Sequence, residues 1–283
     1  MTLENIVLKL FGRSAVFFMR YVTIRKRIPN FRHPKNLTEI IISRILSNET
    51  VKFSEYADKI KVREFVKSKG LESILLKHYF YWDSPEEIIM EDLPDKFVLK
   101  TNKGEGGHDV IICRDKKCFD INSTRNKLSK ALSRVYKYDF QYNYITPKIL
   151  CEELIDCEDG KQPTDYKFLC IHGEPLSIFV ATERGEDGKA RFCSKTIDWR
   201  PLEDIRPKLR PSHDVEKPSH LSEMVEIARI LSADFDLVRV DLYDFKDHVF
   251  FGELTFSPGG GLFSYTMEAV KNYGRIYNDG KNK

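Results

Sequence analysis

The sequence lacks a long hydrophobic run, a low-complexity block and the cysteine spacing of a metal site. Lys9 and Arg13 interrupt its two N-terminal apolar runs, and neither run reaches the roughly 20 residues of a membrane-spanning helix. The six cysteines form no C-x-x-C pair, which excludes the common structural zinc sites. Because most of them lie in apolar, strand-like runs, we expect reduced cysteines and a cytoplasmic protein.

Net charge is also small, since 46 Lys and Arg residues face 43 Asp and Glu residues. An excess of +3 does not indicate nucleic acid binding, and no nucleic-acid partner is expected. Basic residues without nearby acids are concentrated near the start, where Arg13, Arg20 and Arg27 recur every seven residues. Two hypotheses stay open for this region: an ordinary docking helix with a solvated basic edge, or a surface-lying helix in peripheral contact with a membrane.

The 283 residues are 41% hydrophobic and 31% charged, which is typical of a globular protein. Apolar periodicity predicts helices at 1–50 (interrupted between Pro29 and Pro34), 54–69, 122–139 and 219–232. Short apolar runs between turns predict strands at 97–101, 109–113, 149–155, 166–171, 176–181 and 191–196, with two more near the end. This pattern indicates an α+β fold with largely antiparallel sheets in two lobes.

The strongest candidate site lies in the segment 237–261, where two strand-like runs flank a candidate turn at 246–248. With a three-residue loop, alternation places Asp241 opposite Glu253, and Arg239 one alternation away. A two-residue loop would put the two carboxylates on opposite faces. Adjacent carboxylates in apolar strands need a divalent cation such as magnesium or an ion pair with Arg239, and the segment alone favours neither.

A second candidate site follows the strand 97–101, which contains Lys100. Gly104, Gly106 and Gly107 come directly after it, and glycines let backbone N–H groups turn toward a phosphate. The spacing matches neither the P-loop nor the dinucleotide fingerprint. A glycine-rich hairpin turn is the more common explanation of such a segment.

Charged residues within apolar runs give further candidates. Glu152 and Glu153 interrupt a predicted strand, where charged residues are unusual. A carboxylate at this place can accept a hydrogen bond from the exocyclic amine of adenine, and Asp159 can then reach a ribose hydroxyl. Solvated acids at a strand edge are the preferred interpretation of that segment in isolation. Lys59 on a predicted helix and Lys167 inside a predicted strand are candidates for phosphate contact, although either can simply face solvent.

The order of these features resembles the ATP-grasp superfamily over roughly residues 55–265. The segments ADKIKVREFVKSKG, FVLKTNKGEGG, DYKFLCIHGEP and GELTFSPGGG are more narrowly similar to the TupA-like branch, which is associated with teichuronopeptide and other bacterial surface-polysaccharide synthesis. The resemblance implies an ATP-grasp fold in which two α+β lobes grip ATP. It also implies four regions: a helical basic N-terminal region (1–53), the start of the ATP-grasp module (54–96), a nucleotide-lid subdomain (97–154) and a large subdomain with the metal site (155–283).

The resemblance implies a role for each matching residue. Phosphates, adenine and ribose would be held by Lys59, Lys100, Gly104, Gly106, Gly107, Glu152, the backbone of Glu153 and Ile155, Asp159 and Lys167. Lys100, Lys167 and Arg239 would act on the transferring phosphoryl group, and Asp241 and Glu253 would bind magnesium. Many members have asparagine two residues after the final glutamate, where this sequence has Thr255, a weaker oxygen ligand.

The implied activity is that of an ATP- and Mg²⁺-dependent carboxylate–amine ligase. It would join an amino acid to a uronic-acid-containing sugar, with acceptor recognition near 257–263 and a second carboxylate near Arg184, Arg191 and Lys195. An ATP-dependent sugar kinase and a non-catalytic nucleotide-binding component of a polysaccharide assembly complex are the alternatives. The basic N-terminus would then be the point of contact with that machinery or with the inner face of the membrane. The sequence predicts no oligomeric state.

Overall fold

Two antiparallel sheets with helices packed on them make up the chain. The structure, a computed structural model, describes residues 2–104, 109–157, 163–184, 190–206, 210–211, 214–263 and 265–281. Its helices are α1 (Leu3–Arg25), α2 (Leu37–Leu46), α3 (Ser54–Ala57), α4 (Val62–Ser68), α5 (Ile121–Leu132), α6 (Leu221–Ser232) and α7 (Met267–Gly280). No helix among the described residues has both the length and the hydrophobicity needed to span a membrane.

The strands divide between the two sheets. They are β1 (His78–Trp82), β2 (Phe97–Thr101), β3 (Ile111–Cys113), β4 (Ile149–Glu152), β5 (Asp165–Ile171), β6 (Glu174–Arg184), β7 (Ala190–Lys195), β8 (Pro201–Leu202), β9 (Leu237–Phe245) and β10 (His248–Thr255). The smaller sheet has the order β1-β4-β2-β3 and the larger sheet the order β10-β9-β5-β6-β7-β8. The predicted α+β fold with antiparallel sheets is therefore confirmed.

The larger sheet is covered by helices on both faces. On one face α6 packs against a core that includes Phe168, Val240 and Leu254. On the other face Leu169 and other apolar side chains of the sheet pack in a cluster with residues of α1, α2 and α7. The charged side chains of Lys167, Arg239 and Asp241 project from this second face but are not part of that cluster, and they line a cavity instead.

One predicted helix is wrong, because the segment 54–69 forms two short helices. Asp58 is extended, with ψ of 115°, and its Oδ1 accepts a hydrogen bond from Ile60 N at 2.9 Å. Its Oδ2 accepts from Asn102 Nδ2 at 3.0 Å. Because this aspartate both ends α3 and binds the loop after β2, it places Lys59 in the break between the helices.

Other elements also differ from the prediction, among them the short strand β8, which was not predicted. The helix predicted over 122–139 ends at Leu132, since the residues beyond it lead Tyr136 into the core. Strand β1 was not predicted, although its sequence HYFYW is rich in aromatic residues. It pairs with β4 along an irregular register, and its half-buried pattern does not alternate.

The β9–β10 hairpin has a two-residue turn, not the predicted three-residue loop. Phe245 pairs with His248, and the register continues to Leu242 opposite Phe251. It then shifts, so that Glu253 lies opposite Asp241. A β-bulge at Gly252 therefore supplies the extra residue that the turn lacks and returns both carboxylates to one face.

Replacing Gly252 with valine is expected to lower the free energy of unfolding by about 1–3 kcal/mol. A Cβ at this position would lie 3.0 Å from the Asp241 backbone oxygen and 3.1 Å from Tyr243 Cε2. Denaturant titration measures the change, and Gly252→Ala should show a smaller loss. An unchanged unfolding midpoint in both variants would show that the backbone at the bulge accommodates a side chain without loss of stability.

Candidate functional site

A charged row crosses three neighbouring strands of the larger sheet. Lys167 on β5 pairs with Asp241 on β9, which in turn pairs with Glu253 on β10. Arg239 lies two residues before Asp241, opposite Thr255, and so projects from the same face. Alternation on each strand sends the intervening apolar side chains into the core, which is why a charged row can exist in so apolar a sheet.

The cations of this row bind its carboxylates directly. Arg239 donates from Nε to Asp241 Oδ1 and from Nη2 to Asp241 Oδ2, both at 2.6 Å. The same Nη2 donates to Glu253 Oε1 at 3.3 Å. Lys167 Nζ donates to Asp241 Oδ2 at 2.6 Å, and the Thr255 hydroxyl donates to Glu253 Oε1 at 3.1 Å. The ion pair between Arg239 and the two carboxylates, one of the two explanations that the sequence left open, is thus formed.

Burial and neighbouring charges shift the pKa values of the row. Burial alone would raise the pKa of Glu253, but Lys59, Arg239 and Lys167 outweigh it and lower that pKa to about 2. Burial likewise opposes the charge of Arg239, yet Asp241 prevails and raises the pKa of its guanidinium. Both side chains are therefore charged at neutral pH.

Lys59 joins this row from the break between α3 and α4. Its Nζ donates to the backbone oxygen of Gly104 at 2.9 Å and lies 3.5 Å from Glu253 Oε2. Its backbone N–H donates to Asn102 O at 2.9 Å. A lysine predicted on an ordinary helix surface therefore links the glycine-rich loop to the charged row.

A second charged group lies on the smaller sheet. Glu152, at the end of β4, forms an ion pair with Lys100 on β2 and lies 3.4 Å from His78 Nε2 on β1. Burial would raise the pKa of Glu152, but Lys100 and His78 outweigh it and lower that pKa to about 2. Burial also lowers the pKa of His78. Glu152 is buried, so the interpretation of a solvated strand edge is wrong for this residue.

This ion pair predicts acid-dependent stability. The pKa of Glu152 falls from 4.5 to about 2 on folding, so its contribution is complete above pH 4.5 and is lost as the pH falls toward 2. Between pH 5 and pH 3 the wild type should lose roughly 2 kcal/mol more unfolding free energy than Glu152→Gln. Urea titration at each pH measures this. Glu153→Gln, which removes an exposed carboxyl outside any ion pair of the described chain, should keep the wild-type slope.

One cavity of about 550 Å³ contains both charged groups. Its lining includes every residue predicted for the nucleotide, the phosphoryl transfer and the metal that the structure describes: Lys59, Lys100, Gly104, Glu152, Glu153, Ile155, Lys167, Arg239, Asp241, Glu253 and Thr255. Apolar side chains complete the lining toward the smaller sheet, among them Leu76, Val98 and Ile112. The predicted residues Gly106, Gly107 and Asp159 lie outside the described residues.

The predicted backbone groups and acceptor region can be placed more closely. Glu153 N–H donates to Lys77 O at 2.8 Å, which leaves its carbonyl as the candidate for a base contact. Ser257, Gly259 and Phe263 line the cavity beyond Thr255, in the segment predicted to meet the acceptor.

Lys195 does not line the cavity, contrary to its predicted role in binding a second carboxylate. The side chain is buried, and its Nζ contacts Asp214 at 2.5 Å and the ring of Trp199. Arg191 is likewise not among the lining residues, and the side chain of Arg184 lies outside the described part of the structure.

Sequence reasoning missed several cavity residues. Asp165, two positions before Lys167, forms an ion pair with it, while its other oxygen, Oδ1, is buried and has no hydrogen-bond partner among the described residues. Burial raises the pKa of Asp165, although Lys167 opposes the shift. Tyr243 and Lys103 also line the cavity. The D-Y-K spacing was a usable signal for Asp165, because alternation places it on the face of Lys167.

The donor set of the row suits a hard cation that brings further ligands of its own. Two carboxylates and a hydroxyl are oxygen donors of the kind magnesium prefers. Among the described residues, no group of three or more His, Cys, Asp or Glu side chains is placed to hold a metal ion. Asp241, Glu253 and Thr255 therefore fit magnesium that is also bound by phosphate oxygens, and they do not fit a metal site made by protein alone.

Comparison with known proteins identifies a family for this chain. A family profile described as TupA-like ATPgrasp matches residues 39–275. A search of curated proteins found no match.

Solved structures with a similar fold include three ligases or synthetases. D-alanine–D-alanine ligase from Bacillus anthracis is 15% identical, covering 78% of this chain and 63% of that one, with a TM-score of 0.44. The ATP-grasp ligase PsnB, complexed with a minimal precursor variant, Mg and ADP, is 10% identical over 97% and 73%, with a TM-score of 0.45. D-cycloserine synthetase DcsG is 13% identical over 83% and 80%, with a TM-score of 0.46. The chain thus spans less than two thirds of the length of the D-alanine–D-alanine ligase.

Proposed function

This chain belongs to the TupA-like ATP-grasp family, and from that premise we propose that it is an ATP- and magnesium-dependent carboxylate–amine ligase. The observation that carries the proposal is the row in which Lys167, Asp241 and Glu253 lie side by side in the cavity. Arg239 binds both carboxylates of the row. Such an arrangement suits transfer of a phosphoryl group, which depends on positioning and charge neutralisation.

The ion pairs of the row explain how the site accepts a nucleotide. Three cations, Lys59, Lys167 and Arg239, face the three carboxylates Asp165, Asp241 and Glu253. A divalent ion held by Asp241, Glu253 and Thr255 would supply neutralisation of phosphate charge. The three cations are then free to change partner from carboxylate to phosphate oxygen. Nucleotide and metal are therefore expected to bind together.

The proposed reaction has two steps. A carboxylate oxygen of one substrate attacks the γ-phosphorus of ATP, the bond to the β-phosphate oxygen breaks, and an acyl phosphate and ADP result. The nitrogen of an amine then attacks the acyl carbon, expels inorganic phosphate and loses a proton to give the amide. Arg239 and Lys167 hold the transferring group, and the cavity walls restrict the access of water to the acyl phosphate.

For the substrates we propose an amino acid and a uronic-acid-containing sugar of a bacterial surface polysaccharide such as capsule, O-antigen or teichuronopeptide. Family membership supports this class. The cavity segment beyond Thr255 also supports it, because Ser257 offers a hydroxyl and Phe263 an aromatic face beside the metal-binding residues.

A screen for ADP release tests the proposal. Uronic acids, free or nucleotide-linked, are paired with a panel of amino acids, and ADP, inorganic phosphate and organic product are measured together. A ligase releases ADP and phosphate in equal amounts and depends on the amine. Phosphate retained on the product would indicate the kinase, and tight ATP binding without ADP release from any pair would indicate the non-catalytic component.

Replacing Lys100 with alanine is expected to weaken binding of ATP in the presence of Mg²⁺ by roughly tenfold or more. The side chain is mostly buried in the cavity and is the partner of Glu152, so its loss removes a cation and leaves a carboxylate near the phosphates. Isothermal calorimetry measures the affinity. Lys96→Ala is the control, because Lys96 directly precedes β2 and pairs with Asp156 outside the cavity. Equal affinity in the two variants would remove Lys100 from the phosphate site.

A further inference from the structure

In the first half of α1, polar residues contact the rest of the protein while several large apolar residues are exposed. Glu4 accepts a hydrogen bond from Tyr138, and Asn5 accepts one from Lys137 Nζ at 2.5 Å. Large apolar side chains on the other side are open to solvent: Leu3 is 66%, Leu10 66% and Phe11 71% exposed. A helix that only docked on this protein would show the reverse arrangement.

The second half of α1 is arranged in the ordinary way. Gly12 has φ of 76° and ψ of −177°, so the helix is broken there. Beyond it Val16, Phe17 and Tyr21 are buried against the protein. Part of the segment between Arg13 and Arg27, which the sequence offered as a surface-lying helix, thus belongs to the core. Most of the exposed apolar surface of α1 instead lies before Gly12, and we call Leu3, Ile6, Leu10 and Phe11 its outer face; beyond the break only Phe18 among the large apolar residues of α1 is similarly exposed.

Exposed positive charge lies in the same N-terminal stretch of the sequence. Between Glu4 and Glu39 the sequence has eight basic residues and no acidic residue. Arg13, Arg20 and Arg25 make internal contacts with aromatic rings or backbone carbonyls. The remaining five are exposed and form no ion pair with any described residue: Lys9, Lys26, Arg27, Arg32 and Lys35.

We propose that the outer face of α1, with these five basic residues, binds the surface of an anionic lipid membrane. Apolar side chains that enter the interface, combined with basic residues that meet anionic headgroups, are the two requirements for a surface-lying helix. A second copy of this chain fits the face less well, because it would bring the same positive charges together. The proposal is independent of the reaction, since no residue of the outer face lines the cavity.

Vesicle sedimentation with the full chain tests this surface. Vesicles of phosphatidylcholine with about a third phosphatidylglycerol are compared with vesicles of phosphatidylcholine alone. The double variant Leu10→Ser, Phe11→Ser should bind the anionic vesicles at least about tenfold more weakly. Ile89→Ser with Val135→Ser removes exposed apolar residues elsewhere and should bind like the wild type.

Substitutions of the basic residues measure the electrostatic contribution to membrane binding. Arg27→Gln and Arg32→Gln should each weaken binding to anionic vesicles about fivefold. Lys127→Gln with Lys130→Gln, exposed on α5, should not weaken it. Circular dichroism and ATP affinity show that each variant is folded.

Three results would overturn the proposal. The first is absence of wild-type binding to anionic vesicles, and the second is equal binding to both kinds of vesicle. The third is a wild-type dimer in light scattering that dissociates in the Leu10→Ser, Phe11→Ser variant, which would make a second copy the occupant of this face.

Discussion

Replacing Asp241 with asparagine is expected to reduce the rate of ADP release by at least about a thousandfold. This carboxylate is the centre of the row, bound by Arg239 through two hydrogen bonds and by Lys167 through a third. Asparagine keeps the shape but offers one neutral oxygen, so it neither neutralises a divalent ion nor orients the two cations. The rate of ADP release at saturating ATP and Mg²⁺ measures the loss.

Stability has to be measured in the same variant. Asp241 is buried, and removing one partner of a buried ion pair costs about 3–5 kcal/mol because the remaining charges lack a partner. Glu253→Gln avoids most of this loss of stability, because the Glu253 side chain is 25% exposed and Arg239 still has Asp241 as an ion-pair partner. We expect a similar loss of turnover in that variant with a smaller loss of unfolding free energy.

Asp244 provides the matched control on the same strand. It binds His220 and does not line the cavity, so Asp244→Asn should retain turnover. Wild-type, Mg²⁺-dependent turnover in folded Glu253→Gln would contradict the assignment of the metal site.

Replacing Arg239 with lysine is expected to reduce kcat by about a thousandfold while the Kd for ATP changes less than about tenfold. Arg239 contacts Asp241 and Glu253 at the same time through a planar fork, which a single ammonium group does not reproduce. Lysine keeps the positive charge beside Asp241, so the fold and ground-state binding are retained. Single-turnover ADP formation and calorimetry separate the two quantities.

Arg229→Lys is the control for this substitution. Arg229 lies on α6 in ion pairs with Glu174 and Glu226, and it does not line the cavity. If Arg239→Lys weakens ATP binding as much as it reduces kcat, the residue binds the ground state and has no special role in transfer.

The spacing of buried apolar residues along β10 marks the position of the bulge. Val249 and Phe251 are buried, and so are Leu254 and Phe256, so the apolar spacing changes from odd to even positions at Gly252. That change is visible in the sequence and indicates a bulge. The prediction assigned the extra residue to the turn instead, and it reached the correct pairing of Asp241 with Glu253 by the wrong route.

Lys59 illustrates a contact that sequence periodicity does not reveal. The apolar spacing over 54–69 suits one helix, but Asp58 binds Asn102, which is 44 residues away. A long-range hydrogen bond of this kind overrides local helix propensity. The same reasoning applies to His78 and Lys100, which both reach Glu152 because β1 and β2 pair with β4.

The sequence by itself determined the α+β class, the ATP-grasp resemblance and the lysine, glycine and carboxylate positions, because alternation and short motifs depend on neighbouring residues. Only the tertiary structure decided that the described residues among these positions share one cavity, that Asp165 lies beside Lys167, and that most of the exposed apolar surface of α1 belongs to its first half. Those features depend on strand register, on a bulge and on packing between distant segments. Their energies come from contacts across the chain, which local patterns do not specify.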